Sequence, residues 1–142
     1  MELKFVQHNS PDYKKAVNCR HEVLREPLNL AFSQEELAAE SDQKHLVAID
    51  GDAVLGCASL APMDDGQLKM RQVAVQPQLQ GWGIGSSLVK YAEDWARHSG
   101  FRKMILHARD RSMPFYEKLG YKAVGEGFTE IGIPHHKMVK DL

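Results

Sequence analysis

Gln80–Gly85 reads QGWGIG, and this glycine-rich stretch is the strongest local signal in the chain. An apolar run, Val73–Val75, and then Pro77 precede it, and a long amphipathic segment follows it. The pattern predicts a loop between a strand and a helix, where the first backbone N–H groups of the helix bind anions. Glycines at alternate positions let the backbone pass close to such a ligand. The loop alone leaves the identity of the anion open.

Length and composition are typical of a single globular domain. The 142 residues are 43% hydrophobic, so we expect a single domain over residues 1–142 whose core needs no disulfide. A net charge of -1 argues against nucleic acid or a membrane as a partner. The chain shows neither a signal-peptide pattern nor an apolar run of membrane-span length, so we expect a cytoplasmic protein. Cys19 and Cys57 lack paired-ligand spacing, which is typical of packing residues in a reducing compartment.

Periodicity along the chain predicts an α/β protein. Apolar–polar alternation predicts a first strand at Leu3–Gln7, and the following pattern predicts one helix from about Asp12 to Arg25, ended by Pro27. Ser33 with a glutamate three residues later forms a capping box, which predicts a short helix. Further strands are expected at His45–Ile49, Ala53–Leu60, Gln67–Val75, Arg102–Ala108, Tyr121–Val124 and about His135–Lys140, with helices from Ile84 to Gly100 and after Ser112.

Two common phosphate-binding loops do not fit the glycine pattern. A P-loop ends in Gly-Lys-Ser/Thr, whereas Gly85 is followed by two serines. A dinucleotide fingerprint needs G-x-G-x-x-G after the first strand of a parallel unit, whereas this loop has G-x-G-x-G after an antiparallel meander. A nucleotide-binding module is therefore a weak interpretation of the loop.

The remaining pattern joins the Q-x-x-G-x-G loop to the downstream segment FYEKLGY at Phe115–Tyr121. Together these segments resemble the two hallmark motifs of the GCN5-related N-acetyltransferases, the GNAT family. The resemblance covers nearly the whole chain and implies a mixed, mostly antiparallel sheet of about six to seven strands, flanked by about four helices, with splayed central parallel strands. Gly132–Met138 reads GIPHHKM, which resembles a small branch of the family with a G-I-P-H-x-x-M ending. Arg109 stands where the family often has asparagine.

The same resemblance implies acetyl-CoA as the cosubstrate. Its pantetheine would pair with the free edge of the Gln67–Val75 strand, and its pyrophosphate would lie on the glycine loop. The residues implied to bind the coenzyme are Val73, Ala74, Val75, Gln80, Gly81, Trp82, Gly83, Ile84, Gly85 and Ser86.

Direct transfer to an amine needs a group that takes charge off the departing sulfur. The resemblance implies this role for Tyr116, although core packing is the alternative for a tyrosine on a short helix. A phenol with a pKa of about 10 gives its proton to a thiolate, whose thiol has a pKa of about 8.5, uphill by roughly 2 kcal/mol. Some relatives use a central-strand glutamate as the base, but Lys69 occupies that position. The substitute bases are Glu130 and His135, by the Ile133–Pro134 turn, and Glu22 and Glu26, at the end of the first helix. Structural or solvated roles, and water-relayed deprotonation, are the alternatives.

The acceptor site is expected near the end of the first helix and on the central strand. Arg20, Arg25, Glu26 and Arg71 are its expected residues, with the arginines holding an acidic group, although exposed ion pairs are the alternative for each. No set of His, Cys, Asp or Glu has metal-ligand spacing, so we expect no metal.

The predicted function is transfer of acetyl from acetyl-CoA to a primary amine of a small molecule or peptide, by direct attack in a ternary complex. A non-enzymatic acyl-CoA binding or sensing module is the alternative, which the departures at Lys69 and Arg109 keep open. The expected partner is an amine acceptor, without nucleic acid or membrane. The sequence leaves open whether the chain forms a homodimer.

Overall fold

Seven strands and four α-helices build the protein, seen in a computed structural model that describes residues 1–142. The strands are β1 (Glu2–Val6), β2 (Lys44–Asp50), β3 (Ala53–Pro62), β4 (Gln67–Val75), β5 (Lys103–Arg109), β6 (Lys122–Glu130) and β7 (Ile133–Asp141). The helices are α1 (Pro11–Arg20), α2 (Gln34–Ala38), α3 (Ile84–His98) and α4 (Met113–Lys118). All strands form one sheet in the order β1-β2-β3-β4-β5-β7-β6, in which only β4 and β5 are parallel. The expected mixed, mostly antiparallel sheet is confirmed.

The helices cover both faces of this sheet. Leu88 and Ala92 of α3 are fully buried in the larger hydrophobic cluster, as the apolar periodicity of that segment predicted. Ala16 and Cys19 of α1 belong to a second cluster on the opposite face. None of the helices has the length and hydropathy of a membrane span.

The first helical segment differs from the single helix predicted to run to Arg25. α1 ends at Arg20, and the chain continues through a π-helical turn, His21–Arg25, into a 3-10 turn, Glu26–Leu28. Pro27 lies inside the 3-10 turn, near its start, where its missing N–H breaks no helical hydrogen bond. π-turns of this kind often occur at functional sites. This one brings Val23 and Leu24 onto the sheet.

β4 and β5 separate after a short parallel start. Their pairing covers only Gln67–Lys69 on β4 and Lys103–Ile105 on β5, which confirms the expected splayed central strands. A register shift in the β3–β4 pair, with a positive φ of 56° at Gln72, marks a bulge in β4. The extra residue reverses which side chains face each side of the sheet.

β6 and β7 are longer than the sequence predicted. The strand predicted at Tyr121–Val124 runs from Lys122 to Glu130, because a register shift between Val124 and Phe128 absorbs its two glycines as a bulge. Ile131 and Gly132 join β6 to β7 with φ values of 46° and 77°. Two-residue hairpin turns favour positive φ at both central residues, but isoleucine tolerates it poorly. The hairpin places Glu130 close to His135.

Candidate active site

Two cavities meet where β4 and β5 separate. The larger one, of about 720 Å³, is lined by the glycine loop and is called the loop cavity. The smaller one, of about 240 Å³, is lined by Glu130, Ile131 and His135 of the β6–β7 hairpin and is called the hairpin cavity. Both cavities are lined by Leu24, Val73, Arg109, Ser112 and Tyr116. The shared lining residues show that the two cavities are adjacent.

The three glycines of the loop serve different purposes. Gly81 and Gly83 have positive φ values of 89° and 84°, which favour glycine. Gly85 has an ordinary φ, but a Cβ there would lie 3.3 Å from Cζ of Phe115. Gly83 is also the N-cap of α3, so the first N–H groups of that helix lack both intrahelical partners and a capping side chain. These groups give the loop cavity an anion-binding end.

The structure brings together nearly all of the residues expected to bind the coenzyme. Nine of the ten line the loop cavity, namely Val73, Ala74, Val75, Gln80, Gly81, Gly83, Ile84, Gly85 and Ser86. Trp82 does not, because its side chain projects from the loop and is 78% exposed. The side-chain amide of Gln80 donates to the Val75 carbonyl at 3.2 Å and ties the loop to the end of β4.

Sequence reasoning missed two basic residues of the loop cavity, Arg111 and Lys118. Arg111 precedes the second hallmark motif, and Lys118 lies within it at the end of α4. A search for cations near that motif would have found them, because a phosphate-binding cavity favours nearby positive charge.

Tyr116 lies at the junction of the two cavities. Its ring packs edge-on against Phe115 and Tyr121, with centroid distances of 4.9 and 5.8 Å. Its hydroxyl makes no hydrogen bond to another protein group, and burial alone raises the pKa of the phenol. The hydroxyl therefore stays protonated. Because the pKa is raised, full proton transfer from Tyr116 to a thiolate is more unfavourable than the roughly 2 kcal/mol expected for an ordinary phenol. A hydrogen bond from the hydroxyl to the sulfur is therefore favoured over full proton transfer.

Glu130 connects two histidines of the hairpin cavity. His107 on β5 donates from Nδ1 to Glu130 Oε1 at 3.0 Å, and His135 Nε2 lies 3.7 Å from Glu130 Oε2. Burial opposes ionisation of Glu130, but the hydrogen bond and charge of His107, then His135 and Lys69, outweigh it and lower the pKa of the carboxyl. His135 Nδ1 donates to the Ile133 carbonyl at 2.8 Å, which leaves Nε2 as the proton-accepting nitrogen of a neutral ring.

His107 was not among the residues predicted from the sequence. It lies on β5 opposite Lys137 of β7, and its ring packs edge-on against Phe128 of β6. A strand residue of this kind could have been suspected only if the pairing of β5 with the hairpin had been known.

Residues 6–121 match the model of the Acetyltransferase (GNAT) family. The chain belongs to this family. It is 32% identical over 137 residues to the uncharacterized N-acetyltransferase YjcF of Bacillus subtilis (strain 168), an alignment that covers 96% of this chain and 97% of the relative. As a GNAT protein with such relatives, it is an acyltransferase.

Solved structures share the fold of this GNAT enzyme. An acyl-CoA N-acyltransferase from Pseudomonas aeruginosa superposes with a TM-score of 0.83 at 22% identity, covering 98% of both chains. An aminoglycoside 6'-N-acetyltransferase complexed with coenzyme A gives a TM-score of 0.83 at 20% identity, covering 99% of this chain and 97% of that chain. Likeness at this identity establishes the GNAT fold.

Two residues depart from the motifs common in the GNAT family. Lys69, at the position of the glutamate in some relatives, lines the hairpin cavity and makes no side-chain hydrogen bond. Burial, and then the charge of Arg71, lowers the pKa of Lys69, while the charge of Glu130 opposes that shift. Arg109 donates from Nη2 to the Leu24 carbonyl at 2.7 Å. Arg109 therefore ties β5 to the π-turn.

The four residues predicted for the acceptor site divide into two pairs. Arg25 and Arg71 line the hairpin cavity. Arg20 does not, because it is 2% exposed and its Nη2 donates to both carboxylate oxygens of Glu40 at 2.7 Å. Glu26 also lies outside both cavities, exposed and 4.0 Å from His21. The fold thus gives Arg20 a structural partner that lies 20 residues away in sequence. No group of three or more His, Cys, Asp or Glu side chains is placed to hold a metal ion.

Proposed function

We propose that this GNAT enzyme transfers acetyl from acetyl-CoA to a primary amine of a small molecule or peptide, by direct attack in a ternary complex. One observation carries the proposal: Tyr116, whose hydroxyl has no protein hydrogen-bond partner, lines both the loop cavity and the hairpin cavity. The loop cavity would hold the coenzyme, and the hairpin cavity would hold the amine.

The loop cavity has the groups that a coenzyme A thioester needs. Its diphosphate fits the N–H groups at the start of α3, where the helix dipole adds positive charge, with Arg111 and Lys118 nearby. Its pantetheine amides fit the edge of β4 at Val73 and Val75, because β5 pairs with β4 only as far as Lys69. The thioester supplies the activated acetyl group. A protein of the same fold, the aminoglycoside 6'-N-acetyltransferase, forms a complex with coenzyme A, which supports coenzyme A as the ligand.

Tyr116 would assist departure of the sulfur. When the amine nitrogen bonds to the acetyl carbon and the carbon–sulfur bond breaks, negative charge collects on sulfur. The protonated hydroxyl can donate a hydrogen bond to that charge, and a group aimed at developing charge lowers the barrier. A backbone N–H near Val73 would donate to the carbonyl oxygen.

His135 and Glu130 would receive the proton of the amine. Nε2 of His135 accepts it, because Nδ1 is committed to the Ile133 carbonyl. Glu130, 3.7 Å away, then stabilises the imidazolium that forms. His135 is the histidine of the G-I-P-H-x-x-M ending, and from that motif we propose that the chain belongs to the small branch of the family that shares it.

Release of coenzyme A with a panel of primary amines tests the function. We expect release of free thiol together with an equal amount of acetylated amine. Tight binding of acetyl-CoA without turnover on any amine would contradict the proposal and favour the acyl-CoA sensing module.

Neighbouring histidines provide a matched control for the proposed base. His136 donates to Asp110 at 2.7 Å and lines neither cavity. We expect His135→Gln to lower kcat by roughly 100-fold or more, and His136→Gln to leave it within about threefold. Equal turnover in the two variants would exclude His135 as the base.

A further inference from the structure

The hairpin cavity is basic, although the whole chain carries a net charge of -1. Four cationic side chains line it, those of Arg25, Lys69, Arg71 and Arg109, against the single carboxylate of Glu130. At about 240 Å³ the cavity is smaller than the roughly 300–1,000 Å³ of typical ligand pockets. The cavity therefore suits a small acceptor and concentrates positive charge around it.

Two of the four cations are already engaged. Arg25 pairs with Glu36 at 3.0 Å and lies over the ring of Phe32, 4.1 Å from its centroid. Arg109 donates to the Leu24 carbonyl. Both arginines therefore use some of their N–H donors in contacts within the π-turn and the segment that follows it.

Lys69 and Arg71 keep most of their donors available. Lys69 makes no hydrogen bond or salt bridge, and Arg71 makes one long hydrogen bond, from Nη1 to Gln43 at 3.3 Å. Both precede the β4 bulge and lie on one side of the strand, since the alternate residues Leu68 and Met70 are buried in the larger core cluster. Residues two apart on a strand lie about 7 Å apart, so their side chains can converge on one anion.

A simple alkylammonium is a poor ligand for such a cavity. Repulsion from the cations opposes its binding, and Glu130 is already paired with His107 and His135. An amine that also carries an anionic group has no such conflict, because its anion offsets the repulsion. The surrounding positive charge then favours the neutral, nucleophilic form of the amino group.

We propose that the acceptor is a small amine bearing a carboxylate or phosphate, and that Lys69 and Arg71 bind this anionic group. The inference rests on the proposed function. The anion lies at the β4 side of the hairpin cavity, and the amino group points to His135 in that cavity and to Tyr116 at the junction. A carboxylate and a phosphate share the same recognition, namely charge-assisted hydrogen bonds from an ammonium and a guanidinium.

Matched pairs of amines separate the anion from the amine. Each pair has the same amino group with and without an acid: lysine and cadaverine, tyrosine and tyramine, phosphoethanolamine and ethanolamine. We expect kcat/KM to be roughly tenfold or more higher for the acid-bearing member, mainly through KM. The first two pairs test a carboxylate and the third tests a phosphate. Equal kcat/KM within every pair overturns the proposal and leaves the acetyltransferase function standing.

Removal of each charge assigns the anion site to its residues. Lys69→Met and Arg71→Met should each lower kcat/KM for the acid-bearing amine by roughly ten- to hundredfold, while kcat/KM for its acid-free counterpart should not fall, because the removed cation repels an alkylammonium. Lys69→Arg keeps the charge and should keep most of the preference. Lys103→Met is the matched control, because Lys103 is half-buried, lies 3.8 Å from Asp141 and lines neither cavity. A preference that survives both methionine variants contradicts the assignment.

A binding arm distinguishes failure of the inference from failure of the function. If no amine is acetylated, the proposed function fails, and calorimetry with coenzyme A present still tests the anion site. N-acetyl-lysine should then bind at least about tenfold more tightly than N-acetylcadaverine. Equal affinity for the two compounds overturns the inference independently of turnover.

Discussion

Replacing Tyr116 by phenylalanine removes one hydroxyl from the junction of the two cavities and changes little else. The hydroxyl has no protein hydrogen bond to lose, and the ring keeps its edge-on contacts with Phe115 and Tyr121. The free energy of unfolding should therefore change by less than about 0.5 kcal/mol. Loss of a hydrogen-bond donor to the leaving sulfur should lower kcat by roughly 100- to 10,000-fold, about 3 to 5 kcal/mol in the barrier.

Tyr121→Phe is the matched control because the same atom is removed from a different environment. The Tyr121 hydroxyl donates to the buried carboxylate of Glu93 at 2.8 Å and lines neither cavity. Its loss should cost about 1 to 3 kcal/mol of stability, moderated because Lys140 still pairs with Glu93 at 3.0 Å. Its kcat at a temperature where the variant is folded should stay within about twofold of the parent.

Three measurements on each variant separate the two roles. Urea unfolding gives stability, calorimetry gives acetyl-CoA affinity, and free-thiol release at saturating substrates gives kcat. The raised pKa of Tyr116 further predicts that its hydroxyl stays protonated below pH 10, so it should add no basic limb to the pH profile of kcat there. Normal turnover by Tyr116→Phe with intact coenzyme affinity would refute the reasoning and leave this tyrosine as a packing residue.

Three further predictions concern stability. Ile131→Asn replaces a β-branched residue with φ of 46° in the hairpin turn and should raise the free energy of unfolding by about 1 kcal/mol in urea. Burial, and then the hydrogen bond to Glu40, raises the pKa of Tyr13 to about 12. The stability that protonated Tyr13 gives the fold should be fully present below the ordinary phenol pKa of about 10 and be lost as pH rises through about 12. The Tyr13→Phe variant should not show this loss. The pKa of Glu130 is lowered in the folded protein, so the stability that its carboxylate contributes is present above the ordinary carboxyl pKa and is lost as pH falls through the pKa of the folded state. The difference in free energy of unfolding between the parent and Glu130→Gln should therefore be below about 1 kcal/mol at pH 7 and vanish in acid.

The parts of the site that the sequence predicted depend on local patterns. The glycine loop, the apolar end of β4 and the amphipathic face of α3 are each determined by neighbours within a few residues, and they came together as expected around the loop cavity. Trp82 was expected to bind the coenzyme with the rest of the loop, but its side chain is 78% exposed and lies outside the loop cavity. A loop places one residue inward and the next outward, and composition does not show which.

The parts that the sequence did not predict depend on contacts between distant segments. Arg20 was expected at the acceptor site because it lies near the end of the first helix, but it forms a buried hydrogen-bonded cluster with Glu40 and Tyr13. His107 reaches Glu130 only because β5 pairs with β7, which in turn pairs with β6. No periodicity within one element carries that information.

The fate of a labelled acetyl group tests the central claim most directly. The enzyme is incubated with acetyl-CoA labelled in the acetyl carbons and with an amine, and the products are quantified by mass spectrometry. Direct transfer predicts that label appears on the amine in an amount equal to the coenzyme A released, that none is found on the protein, and that the yield collapses in Tyr116→Phe. Label found only in acetate, or none released while acetyl-CoA stays bound, would contradict transfer to an amine.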